Sequence, residues 1–214
     1  MEADFWLARW KNNELGFQLE CAHPLLMQCL PSMLSGSNKV FVPLCGKSPD
    51  INHLASFLPV IGAELSAIAC HDFFFEHKLA FNSWLAEPFR CYQSDNIILW
   101  QGDFFELSQE HLADCNLVYD RAALIALPAP MRQLYANKLQ QLLQPGTKIL
   151  LISLEYPQHE KAGPPFSVTT AEIKTLFPTA DVELLAESEL TGKGFARRRF
   201  ETSVLIERAY CITL

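Results

Sequence analysis

Lys39-Val40-Phe41-Val42-Pro43-Leu44-Cys45, followed at once by Gly46-Lys47-Ser48-Pro49-Asp50, is the stretch on which the fold turns. Its first seven residues are a short apolar run closed by turn residues, the pattern of a strand buried on both faces. Ser48 suits a helix N-cap, and Pro49 suits the first helical position, where its missing N–H has no intrahelical partner to lose. Ile51, Leu54, Ala55 and Leu58 give that helix one apolar face, and Pro59 stops it.

The alternation continues on the C-terminal side. Val60 to Leu65 reads as a second strand, with Ser66 capping a helix that runs through Ile68 and Phe73-Phe74-Phe75. Ile97 to Trp100 reads as a third strand with Gly102-Asp103 at its exit, and Leu117 to Asp120 as a fourth. Met131, Leu134, Tyr135, Leu139 and Leu142 fall on one side of a helix that Pro145-Gly146 ends, and Lys148 to Leu154 follows as a fifth strand. Thr169 to Glu172 has the spacing of a capping box for a short helix. Asp181 to Glu189 and Phe200 to Glu207 read as a final pair of strands, an antiparallel edge. On the N-terminal side, the region to about Ser37 reads as helical and rich in aromatics. Strands alternating with helices predict an α/β fold: a mostly parallel, seven-stranded sheet with helices on both faces.

Composition narrows the function classes. With 214 residues, 50% of them hydrophobic and 19% charged, the chain can bury one substantial core, so a single domain over 1–214 is expected. A formal net charge of −7 argues against a nucleic-acid partner, since such partners need a basic surface; Arg197-Arg198-Arg199 is the one local basic run. The opening Met1-Glu2-Ala3-Asp4 does not read as a signal peptide, and no apolar run reaches the ~20 residues of a membrane helix, so no membrane partner is expected. Seven cysteines form no CxxC pair, which suits core thiols in a reducing, cytoplasmic setting better than a disulfide framework. The six histidines are scattered without an HExxH pattern, so no metal is expected, and no GxSxG elbow is present. No feature marks an interface, and the chain is read as a monomer.

Open parallel sheets bind ligands beyond the carboxyl ends of their strands, where the strand order switches. The strand ends here carry Leu44–Gly46, Glu64, Gly102–Asp103 and Asp120–Arg121. Cys45-Gly46-Lys47-Ser48 looks like the tail of a phosphate loop, but Phe41 stands where the first glycine would have to be, and GxGxxG is absent as well. Glu64 lies about 20 residues beyond the first turn, the distance of an acid that accepts hydrogen bonds from ribose hydroxyls. Asp103 is a candidate for an adenine amino group, with Phe104 or Phe105 either stacking on a ring or lying in the core. Arg121 either pairs with Asp120 or binds a carboxylate or an anionic substrate. Trp6, Trp10 and Phe17 form either core or a lid over a cation. Three readings follow: a transferase with an adenosine-linked cofactor, a nicotinamide-dependent oxidoreductase, and a non-catalytic adenosine-binding module.

The same segments resemble the thiopurine S-methyltransferase family, particularly its bacterial members. The resemblance covers most of the chain: Phe5-Trp6, Arg9-Trp10, Gly16-Phe17, Val42 to Ser48, Gly62 to Ser66, Gly102 to Phe105, Tyr119 to Leu124, Leu154 to Pro157 and Gly163 to Val168. It implies a Rossmann-like S-adenosylmethionine-dependent methyltransferase fold in which residues 1–37 act as a helical, aromatic lid. It implies S-adenosyl-L-methionine as cofactor and a small thiol substrate of the thiopurine type, with selenium or tellurium species as further acceptors. It implies that Trp10, Leu44, Glu64 and Arg121 contact the cofactor, with Trp6, Phe17, Gly102 and Asp103 as further candidates. One departure stands out. The family often has a histidine between the phenylalanine and glutamine of the N-terminal segment, whereas here Phe17 is followed directly by Gln18.

Overall fold

A computed structural model describes residues 3–193 and 200–214; the Arg197–Arg199 run lies outside the described residues. In chain order the elements are α1 (Ala3–Lys11), α2 (Pro24–Met33), β1 (Val40–Val42), α3 (Pro49–Ala55), β2 (Val60–Glu64), α4 (Ala67–Glu76), β3 (Asn82–Ala86), β4 (Phe89–Ser94), β5 (Ile97–Gln101), β6 (Leu117–Arg121), α5 (Ala129–Leu142), β7 (Lys148–Glu155), α6 (Thr170–Leu176), β8 (Asp181–Glu189) and β9 (Ile206–Thr213). Ser48, Ser66 and Thr169 cap α3, α4 and α6 by accepting from backbone N–H groups of the first turn, as their spacing predicts.

The strands form one sheet in the order β3-β4-β5-β2-β1-β6-β7-β9-β8. β5, β2, β1, β6 and β7 pair in parallel, while β4 and β9 run antiparallel to their neighbours. The sheet has nine strands among the described residues rather than seven, because a hairpin, β3–β4, extends the edge beside β5. The last strand also differs from expectation. Phe200 and Leu205 are buried in irregular chain, and β9 begins only at Ile206 before inserting between β7 and β8.

Alternation along each strand sorts the core into two layers. Phe41, Ile61 and Val118 point to the side of α5 and α6, while Val40, Val42, Val60 and Tyr119 point to the side of α2, α3 and α4. On α5, Tyr135, Leu139 and Leu142 are buried and Met131 packs against them, but Leu134 is 58% exposed. One residue is a 100° step around a helix, so Leu134 cannot share the face of Tyr135.

β1 is the switch point. From it the chain builds β2 and β5 on one side and later β6 and β7 on the other. The loops leaving β1 and β6 therefore flank a crevice that no crossover helix covers. Both loops hold left-handed backbone: Leu44 at φ 46°, Gly46 at φ 55° and Ala122 at φ 61°. For leucine and alanine that region is sterically costly, and such residues gather where function dictates the backbone path.

Candidate functional site

A cavity of about 230 Å³ opens at this crevice. That is many times the ~15 Å³ that holds one water. Its floor is the β1 and β6 ends, its roof is α1 with the following loop, and its far wall comes from the Leu124–Ala126 turn, the start of α5 and Pro164-Pro165.

Seven of the eight residues singled out from sequence and resemblance line it: Trp6, Trp10, Phe17, Leu44, Glu64, Asp103 and Arg121. Gly102 does not. A Cβ there would lie 2.4 Å from the Phe89 ring, so this glycine serves the packing of the β4–β5 edge. Phe104 and Phe105 both border the cavity, and Phe104 is also part of the core, lying nearly parallel to Phe41 with the ring centroids 6.5 Å apart.

Glu64 ends β2 and is 6% exposed. One carboxylate oxygen accepts from Gly46 N–H at 2.9 Å, the other from Ser66 N–H at 2.7 Å. Burial pushes its carboxyl up to about 6, and these backbone donors oppose the rise. Each oxygen keeps a second lone pair for a further donor.

Arg121 enters from the end of β6. Its Nη2 donates to Phe17 O at 3.2 Å, while its Nε–H is buried with no acceptor among the described residues. Asp120 is not its ion-pair partner. Neighbouring strand residues face opposite sides of a sheet, and Asp120 instead accepts from Tyr135 Oη at 2.6 Å and Leu124 N–H at 3.1 Å on the α5 side. Burial raises the Asp120 carboxyl to about 6 as well.

The aromatic roof is built edge to face. Phe17 lies 5.8 Å from Trp10 and 6.0 Å from Trp6, both T-shaped. Trp10 packs directly over the β1 loop, where a Cβ on Gly46 would meet its ring at 3.2 Å. Gln18 Nε2 donates to Lys47 O at 2.9 Å, tying the roof to the same loop. Lys47 itself is directed to α4, with Nζ 2.5 Å from Glu76 and 3.4 Å from Asp72. The lysine of the GKS sequence thus serves a helix rather than the cavity, consistent with the failed phosphate-loop pattern.

Sequence reasoning missed the polar floor. Asp50 is fully buried at the start of α3 and accepts from Tyr119 Oη at 2.9 Å and His23 N–H at 2.7 Å. His23 Nδ1 accepts from Leu25 N–H, which leaves Nε2 to donate to Glu207 at 3.1 Å. The one local signal was an acid placed straight after a buried strand and its turn. Its partners lie 27 and 69 residues away.

A nucleoside-type ligand with a carboxylate fits this set. An acid at the cavity offers acceptors to hydroxyls, an orphaned buried guanidinium N–H awaits an anion, and Gly46 lets an indole close down on the β1 loop. Among the described residues no group of three or more His, Cys, Asp or Glu side chains sits close enough to hold a metal.

Comparison with known proteins gives this arrangement a lineage. Residues 1–213 match the profile of the family described as Thiopurine S-methyltransferase (TPMT). The chain is 43% identical to the thiopurine S-methyltransferase of Pseudomonas fluorescens (strain SBW25) over the full length of both proteins. It is 42% identical to that of Nitrosospira multiformis over 89% of this chain and 88% of the relative. Among solved structures, an S-adenosylmethionine-dependent methyltransferase from Anabaena variabilis superposes with a TM-score of 0.66 at 18% identity, covering 99% of this chain and 94% of that one. An N-methyltransferase from Bradyrhizobium japonicum in complex with S-adenosyl-L-homocysteine superposes at 0.59 and 13% identity, covering 86% and 84%. These structures establish the fold, and the family match decides against the oxidoreductase and non-catalytic readings. The chain belongs to the thiopurine S-methyltransferase family, enzymes whose methyl donor is S-adenosylmethionine.

Proposed function

We propose that this enzyme methylates the sulfur of thiopurines or similar small heteroaryl thiols, acting as a cytoplasmic monomer with residues 1–37 as the lid of its site. The observation that carries the reading is one cavity with two unlike ends. Glu64, Arg121 and Trp10 gather at the β1–β6 switch, and a largely apolar wall that includes Ile125, Leu127, Met131 and Pro164 faces them.

In this reading Glu64 accepts hydrogen bonds from the cofactor's ribose hydroxyls, and Arg121 pairs with its carboxylate, matching the Nε–H that has no acceptor. Leu44 and Trp10 enclose it from the β1 loop and from α1, with Trp6, Phe17 and Asp103 completing the surround. When bound, S-adenosylmethionine supplies an electrophilic methyl group on positively charged sulfur. The protein's own part is alignment and exclusion of water. The apolar wall suits a planar ring, and a dry site favours a reaction in which opposite charges cancel. Heteroaryl thiols ionise readily, so no side chain is assigned as general base.

Burial raises the Cys45 thiol well above its ordinary range, so this cavity-lining cysteine stays protonated and does not compete as a nucleophile. Selenium and tellurium acceptors, implied by the sequence resemblance, find no separate feature in the cavity, and the thiol is the acceptor advanced. Incubation with S-adenosylmethionine and 6-mercaptopurine tests the reading. S-methylated product in proportion to enzyme supports it, and no product from any heteroaryl thiol refutes it.

A further inference from the structure

Among the described residues two arginines face the cavity, Arg121 from β6 and Arg9 from α1. The functional reading assigns Arg121 to the cofactor's carboxylate and leaves Arg9 without a counterpart inside. Among the described residues, each acid that lines the cavity already accepts hydrogen bonds. Asp50 accepts from Tyr119 and His23, Glu64 from Gly46 and Ser66, and Asp103 from the N–H of Phe105.

Arg9 is held in place without being neutralised there. Its guanidinium carbon lies 4.6 Å from the centre of the Phe5 ring, one helical turn back. Its Nη1 is 3.4 Å from Glu14, a carboxylate 53% exposed, so that solvent screens the pair. Its Nε–H is buried and has no acceptor among the described residues. S-adenosylmethionine adds two positive groups and one negative. With Arg121 matched to the negative one, the buried Arg9 Nε–H is still without an acceptor among the described residues until the second substrate arrives.

We infer that Arg9 binds the negative charge of the acceptor, so that the acceptor enters ionised, as a thiolate whose proton has already left to solvent, and that Arg9 sets the preference for anionic over neutral acceptors. This inference rests on the functional reading above. It has a kinetic consequence. Arg9 grips a charge that the reaction consumes, so it strengthens substrate binding more than it lowers the barrier, and it lets go of the neutral thioether product.

The test is calorimetric titration of 6-mercaptopurine thiolate into enzyme saturated with S-adenosylhomocysteine, for wild type, Arg9→Gln and Arg9→Lys. Arg9→Gln should raise the thiolate Kd about tenfold or more, the scale of one charge-assisted hydrogen bond, with Arg9→Lys in between. Affinity for S-adenosylhomocysteine should stay within about twofold in all three, and in turnover KM should rise while kcat holds. The neutral S-methyl analogue should bind wild type and Arg9→Gln alike. Equal thiolate affinity in wild type and Arg9→Gln, a parallel loss of S-adenosylhomocysteine affinity, or no thiolate binding by wild type would each overturn the role of Arg9. Failure of wild type to methylate any thiol would refute the functional reading separately, because the titration needs no turnover.

Discussion

Glu64→Gln separates the charge of the cavity acid from its shape. The glutamate uses one oxygen for Gly46 N–H at 2.9 Å and the other for Ser66 N–H at 2.7 Å. Glutamine keeps one acceptor oxygen, but its NH2 must then face one of those N–H groups, donor against donor. In the proposed reading the ribose hydroxyls meanwhile lose a charged acceptor. Hydrogen bonds to a charged group contribute about 1.5–3 kcal/mol, so the cofactor Kd should rise roughly 10- to 150-fold.

The carboxyl titrates near 6, which adds a second signature. Wild-type affinity should fall as pH drops through 6, because protonation removes the acceptor that the hydroxyls need. The variant has nothing to titrate at this position, and the gap between the two proteins should narrow toward pH 5. Asp120 also titrates near 6, but it is present in both proteins and cancels in the comparison. Isothermal titration with S-adenosylhomocysteine from pH 5 to 8 reads both effects. Equal affinities at pH 8 in a variant with a native melting profile would remove Glu64 from the binding site. A gap that does not change with pH would show that charge is not the reason it is there.

Stability should report the same group with the opposite trend. The folded-state carboxyl titrates above its ordinary 4.5, so the stability it contributes is full below 4.5 and is lost as pH rises through 6, about 2 kcal/mol in all. The Tm difference between wild type and Glu64→Gln, measured without ligand, should therefore move in favour of the variant between pH 4.5 and 7. Tyr135→Phe removes the 2.6 Å donor to buried Asp120 and should cost about 1–3 kcal/mol by denaturant unfolding; a wild-type midpoint would show that the bond adds nothing. Gly46→Ala sets a Cβ against Trp10 on backbone at φ 55° and should change tryptophan fluorescence and weaken cofactor binding, whereas unchanged values of both would mean that Trp10 does not close on this loop. Gly102→Ala drives a Cβ to 2.4 Å from the Phe89 ring and should lower Tm by several degrees while leaving cofactor affinity intact; lost affinity in the folded variant would return Gly102 to the site.

The parallel centre of the sheet was legible because burial on both faces leaves continuous apolar runs. Val40–Val42, Val60–Ala63 and Leu117–Tyr119 are buried throughout. The same logic failed at the edges. All but the last residue of β3 are exposed, so no apolar run marks it, and only the Phe89-Arg90-Cys91 alternation of its partner carried a strand signal. Phe200 and Leu205 misled in the other direction, because buried loop residues read like the start of a strand.

The site was legible to the extent that sheet geometry determines it. Residues that end neighbouring parallel strands must meet at one rim, so Leu44, Glu64 and Arg121 could be grouped with no contact known. Direction within the rim was not legible, because it depends on which face each residue takes. Asp120 and Arg121 looked like a pair in sequence, yet strand alternation sends one to Tyr135 and the other to the cavity. The aromatic roof lies further beyond reach. Trp10, Phe17 and Gln18 are set by contacts with Gly46, Arg121 and Lys47, residues 29 to 104 positions away. An α1 stripe of Trp6 and Trp10 has the spacing of ordinary core, and only a tertiary partner decides whether it closes over protein or over ligand. Arg9 is the sharpest case: in sequence it is one basic residue on a short helix, and the buried Nε–H that finds no acceptor among the described residues emerges only from the tertiary structure.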